Sequence, residues 1–376
     1  MADSAGPRLR FDFEGFRYEV YGTQVDHRDY DTLLLAWRQA ASGGPRSQVI
    51  LKPVLLPSDY ERSSRAREEM QIASYLQHPG IAKTYGLTAH ADLPYVVTEH
   101  MRGCYLLTAM DFALLVGRGL SSGFAAYVAA EVADALAYAH AFSSNMGEPL
   151  HIIHRAVSPM RIRLGFDGRV KLTNFGAAYG EIRNRLQTPP GLLRGDPAYC
   201  APELLRDAME ATGRRSDRLN AGGIDGRADV FSLGLVLLEM LLAEYPLDPS
   251  DVPPQGAPKG FAYPLRAERS TQLSLDVLAY RLLRFRPEDA ERQLELAPEP
   301  LRPIVRRALQ PDPAERISAA TLRDELRAYL HGLDRSFGAG ELAAELQLVF
   351  EAAAKIHRLT ANPIERTALS PDEQGD

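Results

Sequence analysis

The first hundred residues contain short runs rich in apolar residues, a pattern that is typical of β-strands. Five runs show it: FRYEVYGTQV, TLLLAWRQ, QVILKPVLL, IAKTYGLTA and PYVVTEHM. Between the third and fourth runs, residues 58–80 have the charged and apolar spacing of an amphipathic helix that ends at Pro79-Gly80. The pattern therefore predicts five strands and one helix over residues 13–100, behind a flexible arm at residues 1–12.

From residue 101 the apolar spacing changes to three and four positions, which predicts a mostly helical region over residues 101–331. Its clearest segments are the alanine-rich residues 121–143 and the apolar run DVFSLGLVLLEMLL. Three further helices are predicted near residues 272–296, 299–309 and 318–331. A β-rich front half followed by a larger helical half indicates an α+β protein with two lobes.

An extension of residues 332–376 carries one more helical pattern. Its apolar stripe consists of Leu342, Leu346, Val349, Ala353 and Ile356. This spacing fits the seam of a helix. Docking of that helix on its own C-terminal lobe is the leading interpretation, and a homodimer through the same stripe is the alternative. The polar end of the extension is expected to be disordered.

Charge and composition narrow the classes of function. The net charge is −6 and the pI is near 5.9, without a strong basic run, so we expect no nucleic-acid partner. Cys104 and Cys200 lie far apart and lack metal-ligand spacing, which indicates two reduced thiols. The longest apolar run, residues 231–242, is too short to span a membrane, and no secretory segment is visible at the start. A cytoplasmic protein is expected.

Residues 151–178 read HIIHRAVSPMRIRLGFDGRVKLTNFGAA. This segment resembles the catalytic loop and DFG motif of protein kinases, which have the form HRD-x-x-x-x-N and then DFG. At the position of the catalytic aspartate stands Ala156, at that of the metal-binding asparagine Arg161, and at that of the DFG aspartate Asn174. The form HRAVSP is similar to HRDVSP of myxobacterial serine/threonine kinases, so the resemblance is to a bacterial kinase of that type.

The resemblance extends over residues 13–331. VILK is similar to the VAIK strand, which makes Lys52 the counterpart of the phosphate-anchoring lysine and Glu69 its helix partner. VVTEHMRG is similar to the gatekeeper and hinge, with Thr98 as gatekeeper and Glu99 to Met101 as hinge. The family thus implies a bilobal fold with a five-stranded N-lobe and one main helix at residues 13–100, and a helical C-lobe at residues 101–331.

Other family positions imply structural roles. His154 and Phe175 correspond to residues that stack inside the fold, and Asp229 corresponds to the one that tethers the catalytic loop. Arg316, in PDPAERISA, corresponds to the arginine that pairs with the glutamate of APE, here Glu203. Because these roles are packing and hydrogen bonding, their presence predicts a stable kinase fold.

The substituted positions change the expected chemistry. Ala156 has no side-chain oxygen to orient an acceptor hydroxyl, Asn174 is neutral, and Arg161 is only a donor. Mg²⁺ requires hard oxygen ligands, so this set predicts that no metal is held. The segment VDHRDYD lacks the glycines of a phosphate loop, and Ile50 replaces the alanine that roofs the adenine ring, which predicts obstruction of the base.

These residues together predict that the chain is not an enzyme but a catalytically inactive pseudokinase. It would act as a protein-binding scaffold or regulator, without Mg-ATP and with no cofactor. The expected partner is a protein, such as an active kinase or a signalling regulator. Retention of Lys52 and Glu69 leaves two alternatives, a metal-independent nucleotide sensor and a weak atypical ATP-dependent transferase. On these alternatives Lys52, Glu69, Glu99 and Met101 would bind the nucleotide.

Overall fold

A computed structural model describes residues 9–25, 32–54, 70–73, 75–91, 93–175, 178–181, 195–210, 224–246, 291 and 293–360. The fold is α+β, with a curled sheet in front and a helical region behind it, as the sequence predicts.

The front sheet has six antiparallel strands in the order β1-β2-β3-β4-β6-β5. The strands are β1 Arg10–Phe13, β2 Phe16–Val25, β3 Thr32–Ala40, β4 Ser47–Pro53, β5 Thr84–His90 and β6 Leu93–Glu99. Apolar side chains on one face of the sheet form a small core around Tyr18, Val49 and Val97.

The expected flexible arm at residues 1–12 is wrong at its C-terminal end, and the sheet therefore has one strand more than predicted. Arg10–Phe13 pairs with β2 across a turn at Glu14 and Gly15, both of which have positive φ. Phe11 stacks on Tyr18 with ring centroids 5.1 Å apart, which gives this short strand an apolar anchor.

The predicted helix at residues 58–80 falls largely outside the described ranges. Residues 70–73 are helical, and Ile72 is buried in the core of the C-terminal half. Glu69 and the glycine-free segment at residues 26–31 are not among the described residues.

The helical region is built on two long buried helices. α2 (Ser122–His140) begins where Ser121 Oγ accepts the backbone N–H of Phe124 at 3.1 Å, and α4 (Arg227–Leu242) is buried on nearly every side. The other helices are α1 Leu106–Leu115, α3 Pro202–Glu210, α5 Arg302–Ala308, α6 Ala319–His331 and α7 Ala339–Thr360. The helix predicted at residues 272–296 lies mostly outside the described part of the chain.

A second, three-stranded sheet joins the two halves. It contains β7 (Gly103–Tyr105), β8 (Ile162–Gly165) and β9 (Val170–Leu172) in that order. Leu172 exchanges backbone hydrogen bonds with Gly80 and Ala82, at 2.8 and 2.9 Å, so β9 is tied to the segment before β5. This sheet holds the predicted catalytic segment under the front sheet.

The C-terminal helix α7 packs on the chain's own helical region. Leu342 and Leu346 are fully buried in the main core, with Val349 and Ala353 buried beside them. The Glu345 carboxylate accepts hydrogen bonds from Ser121 N at 2.7 Å and Ser121 Oγ at 2.6 Å. The apolar stripe is therefore covered within one chain, which is the leading interpretation of its spacing; a dimer through this helix stays a prediction.

A glycine allows α7 to approach β8 and β9. Gly168, in the turn between them, has φ +83° and would place a Cβ only 1.9 Å from Ala339 O. No side chain fits there without displacing the start of the helix. None of the helices in the described ranges combines the length and the apolar character needed to cross a lipid bilayer.

Candidate functional site

A cavity of about 710 Å³, counting the open space at its mouth, lies between the front sheet and the three-stranded sheet. The described residues that line it include Leu33, Ile50, Lys52, Leu76, Thr98, Glu99, Tyr105, Arg161, Arg163, Thr173, Asn174 and Phe175. Ile50 is among these lining residues, and its expected obstruction of the base stays a prediction.

Lys52 and Asn174 meet at one end of this cavity. Lys52 lies on β4, and its Nζ donates a hydrogen bond to Asn174 Oδ1 at 3.0 Å. Asn174 has φ +62°, a left-handed conformation that asparagine adopts more easily than most residues. The pair is 122 positions apart in sequence, so the fold brings together two residues that the kinase resemblance singled out separately.

Arg161 adds a second cation to the lining. Its backbone carbonyl accepts hydrogen bonds from Thr173 N at 2.8 Å and Thr173 Oγ1 at 3.0 Å, which fixes the loop beside β9. The Glu99 carboxylate also lines the cavity, but it is paired with Lys171 Nζ at 3.0 Å. The lining therefore favours anionic ligands.

The oxygen donors at this end do not fit a magnesium site of the kinase type. Asn174 Oδ1 already accepts from an ammonium group, and the neighbouring positions offer a guanidinium and a methyl group. Among the described residues, no group of three His, Cys, Asp or Glu side chains is placed to hold a metal ion.

Ala156 is buried and is not among the described residues that line the cavity. Gly195 packs closely against it, since a Cβ on that glycine would lie 2.4 Å from Arg155 O and 3.2 Å from Ala156 Cβ. An acceptor hydroxyl in the cavity therefore finds no proton acceptor at this position.

His154 and Phe175 stack edge to face inside the fold, with ring centroids 4.6 Å apart. His154 Nε2 lies 3.0 Å from Thr173 O. Burial lowers the pKa of His154 to about 4, which keeps the imidazole neutral near pH 7. A neutral ring can donate its Nε2 proton to the Thr173 carbonyl, so the histidine joins the loop to β9.

Asp229 organises the backbone of the same loop. Its carboxylate accepts from His154 N and Arg155 N, both at 2.7 Å, and lies 2.9 Å from His140 Nε2. Burial acts to raise the pKa of Asp229, but the hydrogen bond and charge of His140, with the charge and N–H of His154, outweigh it and lower that pKa. The buried anion holds Arg155 in its strained conformation, with φ +61°.

Arg316 and Glu203 form a buried ion pair deeper in the helical region. Arg316 Nη1 and Nη2 contact the two carboxylate oxygens of Glu203 at 2.7 and 3.2 Å, and Nη1 also donates to Arg227 O at 2.7 Å. The arginine side chain is fully buried. This bidentate contact links α3 to the loop before α6.

Arg163 lines the cavity next to the predicted hinge, whereas Met101 is not among the described lining residues. Met101 is buried in the predicted hinge, and its carbonyl accepts from Arg163 Nη2 at 2.8 Å. The sequence motifs did not single out Arg163. The available signal was a charged residue inside the short apolar strand IRLG, all four positions of which are buried.

The sequence matches the protein kinase domain over residues 40–326, which is well over half of the chain. The chain belongs to the protein kinase family. Together with the six-stranded sheet, the helical region and the cleft between them, this match confirms the predicted bilobal kinase fold.

Several named kinases are similar to this family member. A tyrosine-protein kinase of Myxococcus xanthus (strain DK1622), MasK, is 30% identical over 211 residues, covering 56% of this chain and 30% of that protein. Serine/threonine-protein kinase Pkn1 of Myxococcus xanthus is 28% identical over 241 residues, covering 61% and 30%. Serine/threonine-protein kinase PrkC of Bacillus subtilis (strain 168) is 28% identical over 191 residues, covering 51% and 25%. The chain spans about a quarter to a third of the length of these curated relatives.

The prediction that the chain is not an enzyme is wrong. Its relatives are named protein kinases, and the family match points to a kinase enzyme. That prediction rested on the identities of Ala156, Arg161 and Asn174, which are three positions within a family match that extends over residues 40–326.

Proposed function

We propose that this kinase-family chain is a weak, atypical phosphotransferase that uses a nucleoside triphosphate. The observation that carries the proposal is the open cleft in which Lys52 contacts Asn174 beside Arg161. Phosphoryl transfer depends mostly on positioning and on stabilising the charge that develops on the phosphate oxygens. Protein cations supply such stabilisation, although less completely than a metal ion bound by carboxylates.

The reaction in this cleft forms a bond from an acceptor oxygen to the γ-phosphorus and breaks the bond from that phosphorus to the bridging oxygen. The nucleoside diphosphate leaves, and the acceptor proton passes to solvent because Ala156 has no group to receive it. Without a general base, the rate is expected to be about 10²–10⁴-fold below that of a complete site.

The test is transfer of labelled γ-phosphate to the chain itself and to a generic protein acceptor. We expect slow incorporation by the wild type and a loss of about 10²-fold in Lys52→Met, since the lysine stabilises phosphate charge. Lys83→Met is the matched control, because Lys83 is exposed and its side chain is not part of the described cavity lining. No incorporation by the wild type, or equal incorporation by Lys52→Met, would overturn the proposal.

A second function, as a protein-binding regulator, is supported by exposed apolar side chains on two helices that contact each other. Leu114 and Leu115 on α1 are each 54% exposed, and Leu348 on α7 is 52% exposed. Such side chains on packed elements favour a protein partner, such as another kinase or a signalling regulator. A Lys52→Met chain that loses phosphate transfer, but still binds a protein partner that the wild-type chain binds, would favour this function.

A further inference from the structure

Arg163 is a buried arginine that has no role in the phosphate transfer proposed above. It lies on β8 opposite Tyr105 of β7, its residue is 4% exposed, and it lines the cavity at the hinge end. Charged side chains are almost never buried without a partner, because removing the charge from water is costly.

The contacts of Arg163 leave most of its donors unused. Nη2 donates to Met101 O at 2.8 Å and approaches Gly103 O at 3.4 Å, and both acceptors are neutral carbonyls. In the described part of the chain, Nε and Nη1 have no hydrogen-bond partner. The guanidinium carbon lies 4.9 Å from the centre of the Tyr105 ring, which offsets part of the charge but accepts no ordinary hydrogen bond.

The neighbouring polar groups do not supply the missing acceptor. The Glu99 carboxylate is engaged by Lys171 Nζ at 3.0 Å and by Lys83 N at 3.1 Å. Burial, and then the charge of Arg163, lower the pKa of His100, so this imidazole is neutral near pH 7. Its Nδ1 is also without a partner among the described residues, and no hydrogen bond joins it to Arg163.

We propose that Arg163 is a specificity-determining residue that selects a purine with an oxygen at C6, as in guanine or hypoxanthine, over adenine. This inference rests on the proposed function: with the phosphates held at Lys52, we place the base of the nucleotide at the hinge end of the cavity. The guanidinium presents only donors, so it pairs with the O6 acceptor of an oxo-purine and opposes the N6 amino group of adenine. Arg163 also occupies the Met101 carbonyl, which is then engaged as an acceptor.

The test compares the affinities of ATP, ITP and GTP for the wild-type chain by isothermal titration calorimetry. ITP shares O6 with GTP but lacks the 2-amino group, so it isolates the proposed contact. We expect ITP and GTP to bind about tenfold more tightly than ATP, as for one charge-assisted hydrogen bond. The inference would be overturned if GTP bound tightly and ITP did not, or if ATP bound as tightly as ITP and GTP.

Two variants test whether Arg163 causes the preference for an oxo-purine. Arg163→Met keeps the length and apolar packing but removes the donors, and the preference should disappear while ATP binds at least as tightly as before. Arg169→Met is the matched control, since Arg169 lies on the β8–β9 turn with its side chain 58% exposed, and it should keep the preference. A preference that survives in a folded Arg163→Met chain contradicts the inference. Failure of all three nucleotides to bind instead overturns the proposed function itself.

Discussion

His154 makes the stability of the loop depend on pH. Burial dominates its pKa, which falls from 6.5 to about 4; Arg161 and His140 add to this lowering, while Asp229 and the Thr173 carbonyl oppose it. As the pH falls below 6.5, His154 becomes protonated in the unfolded chain, whereas in the folded chain it stays neutral until about pH 4. The folded state therefore loses stability within this window and keeps it above pH 6.5.

We predict that the free energy of unfolding falls by up to about 1.4 kcal/mol per pH unit between pH 6 and pH 4.5 through this one group. Urea denaturation across that range measures it. His154→Phe keeps an aromatic ring against Phe175 without a titrating group, so it should flatten this part of the profile. His331→Gln removes an exposed imidazole and should leave the profile unchanged. A wild-type profile that matches that of His154→Phe would show that the buried imidazole is not the cause.

Single residues of the site differ in how far the sequence could predict them. Lys52, Arg161 and Asn174 belong to motifs with fixed spacing, so their shared location follows from the kinase resemblance. Arg163 does not, because a charge in a short strand usually faces solvent. Its burial depends on β7 and β9 on either side and on the hinge carbonyl that it reaches.

Among the elements, helix α7 lies beyond residues 40–326, which match the protein kinase domain, and it packs on the helical lobe. Phe350 contacts Phe112 of α1 and Phe166 at ring distances of 4.8 and 5.5 Å, and Glu345 caps the start of α2. The helix therefore braces the part of the fold next to the hinge, and its removal should affect stability rather than leave the lobe unchanged.

Two leucines on α7 test this packing directly. Leu346 is fully buried and Leu348 is 52% exposed, and both can be changed to alanine without weakening the helix itself. We predict that Leu346→Ala lowers the free energy of unfolding by about 2–4 kcal/mol, while Leu348→Ala changes it by less than about 0.5 kcal/mol.

Chemical denaturation of the two variants, at two protein concentrations, gives the measurement. Equal effects of the two substitutions would contradict docking of α7 on its own lobe. A dependence of either stability on protein concentration would indicate that the helix also joins two chains.

The elements predicted correctly are those with a strong period. Strands β2 to β6 and helices α2, α4 and α6 all fall where the apolar pattern placed them. β1 was missed because four residues give too little alternation and its pairing depends on the Glu14-Gly15 turn. α1 was missed because its sequence, LLTAMDFALL, is apolar on nearly every face and so shows no helical period.

For the whole molecule, the scaffold of the kinase fold and the altered cleft are separate features. Asp229, His154 and the Arg316–Glu203 pair hold the kinase fold through buried hydrogen bonds, and none of these four side chains is among the described residues that line the cavity. The cleft keeps its cavity while exchanging acidic metal ligands for neutral and cationic groups. The sequence indicated that exchange, but the open cavity and the Lys52–Asn174 contact required the three-dimensional structure.

We propose that the cations of the cleft, rather than a bound metal ion, hold the phosphates of the nucleotide. Calorimetric titration of the wild-type chain with GTP, in excess EDTA and then in millimolar Mg²⁺, tests it most directly. If the cations hold the phosphates, the two Kd values lie within about threefold of each other, a difference below 1 kcal/mol. Binding that appears only with Mg²⁺, or tightens by more than about tenfold with it, would show that a metal ion holds the phosphates instead.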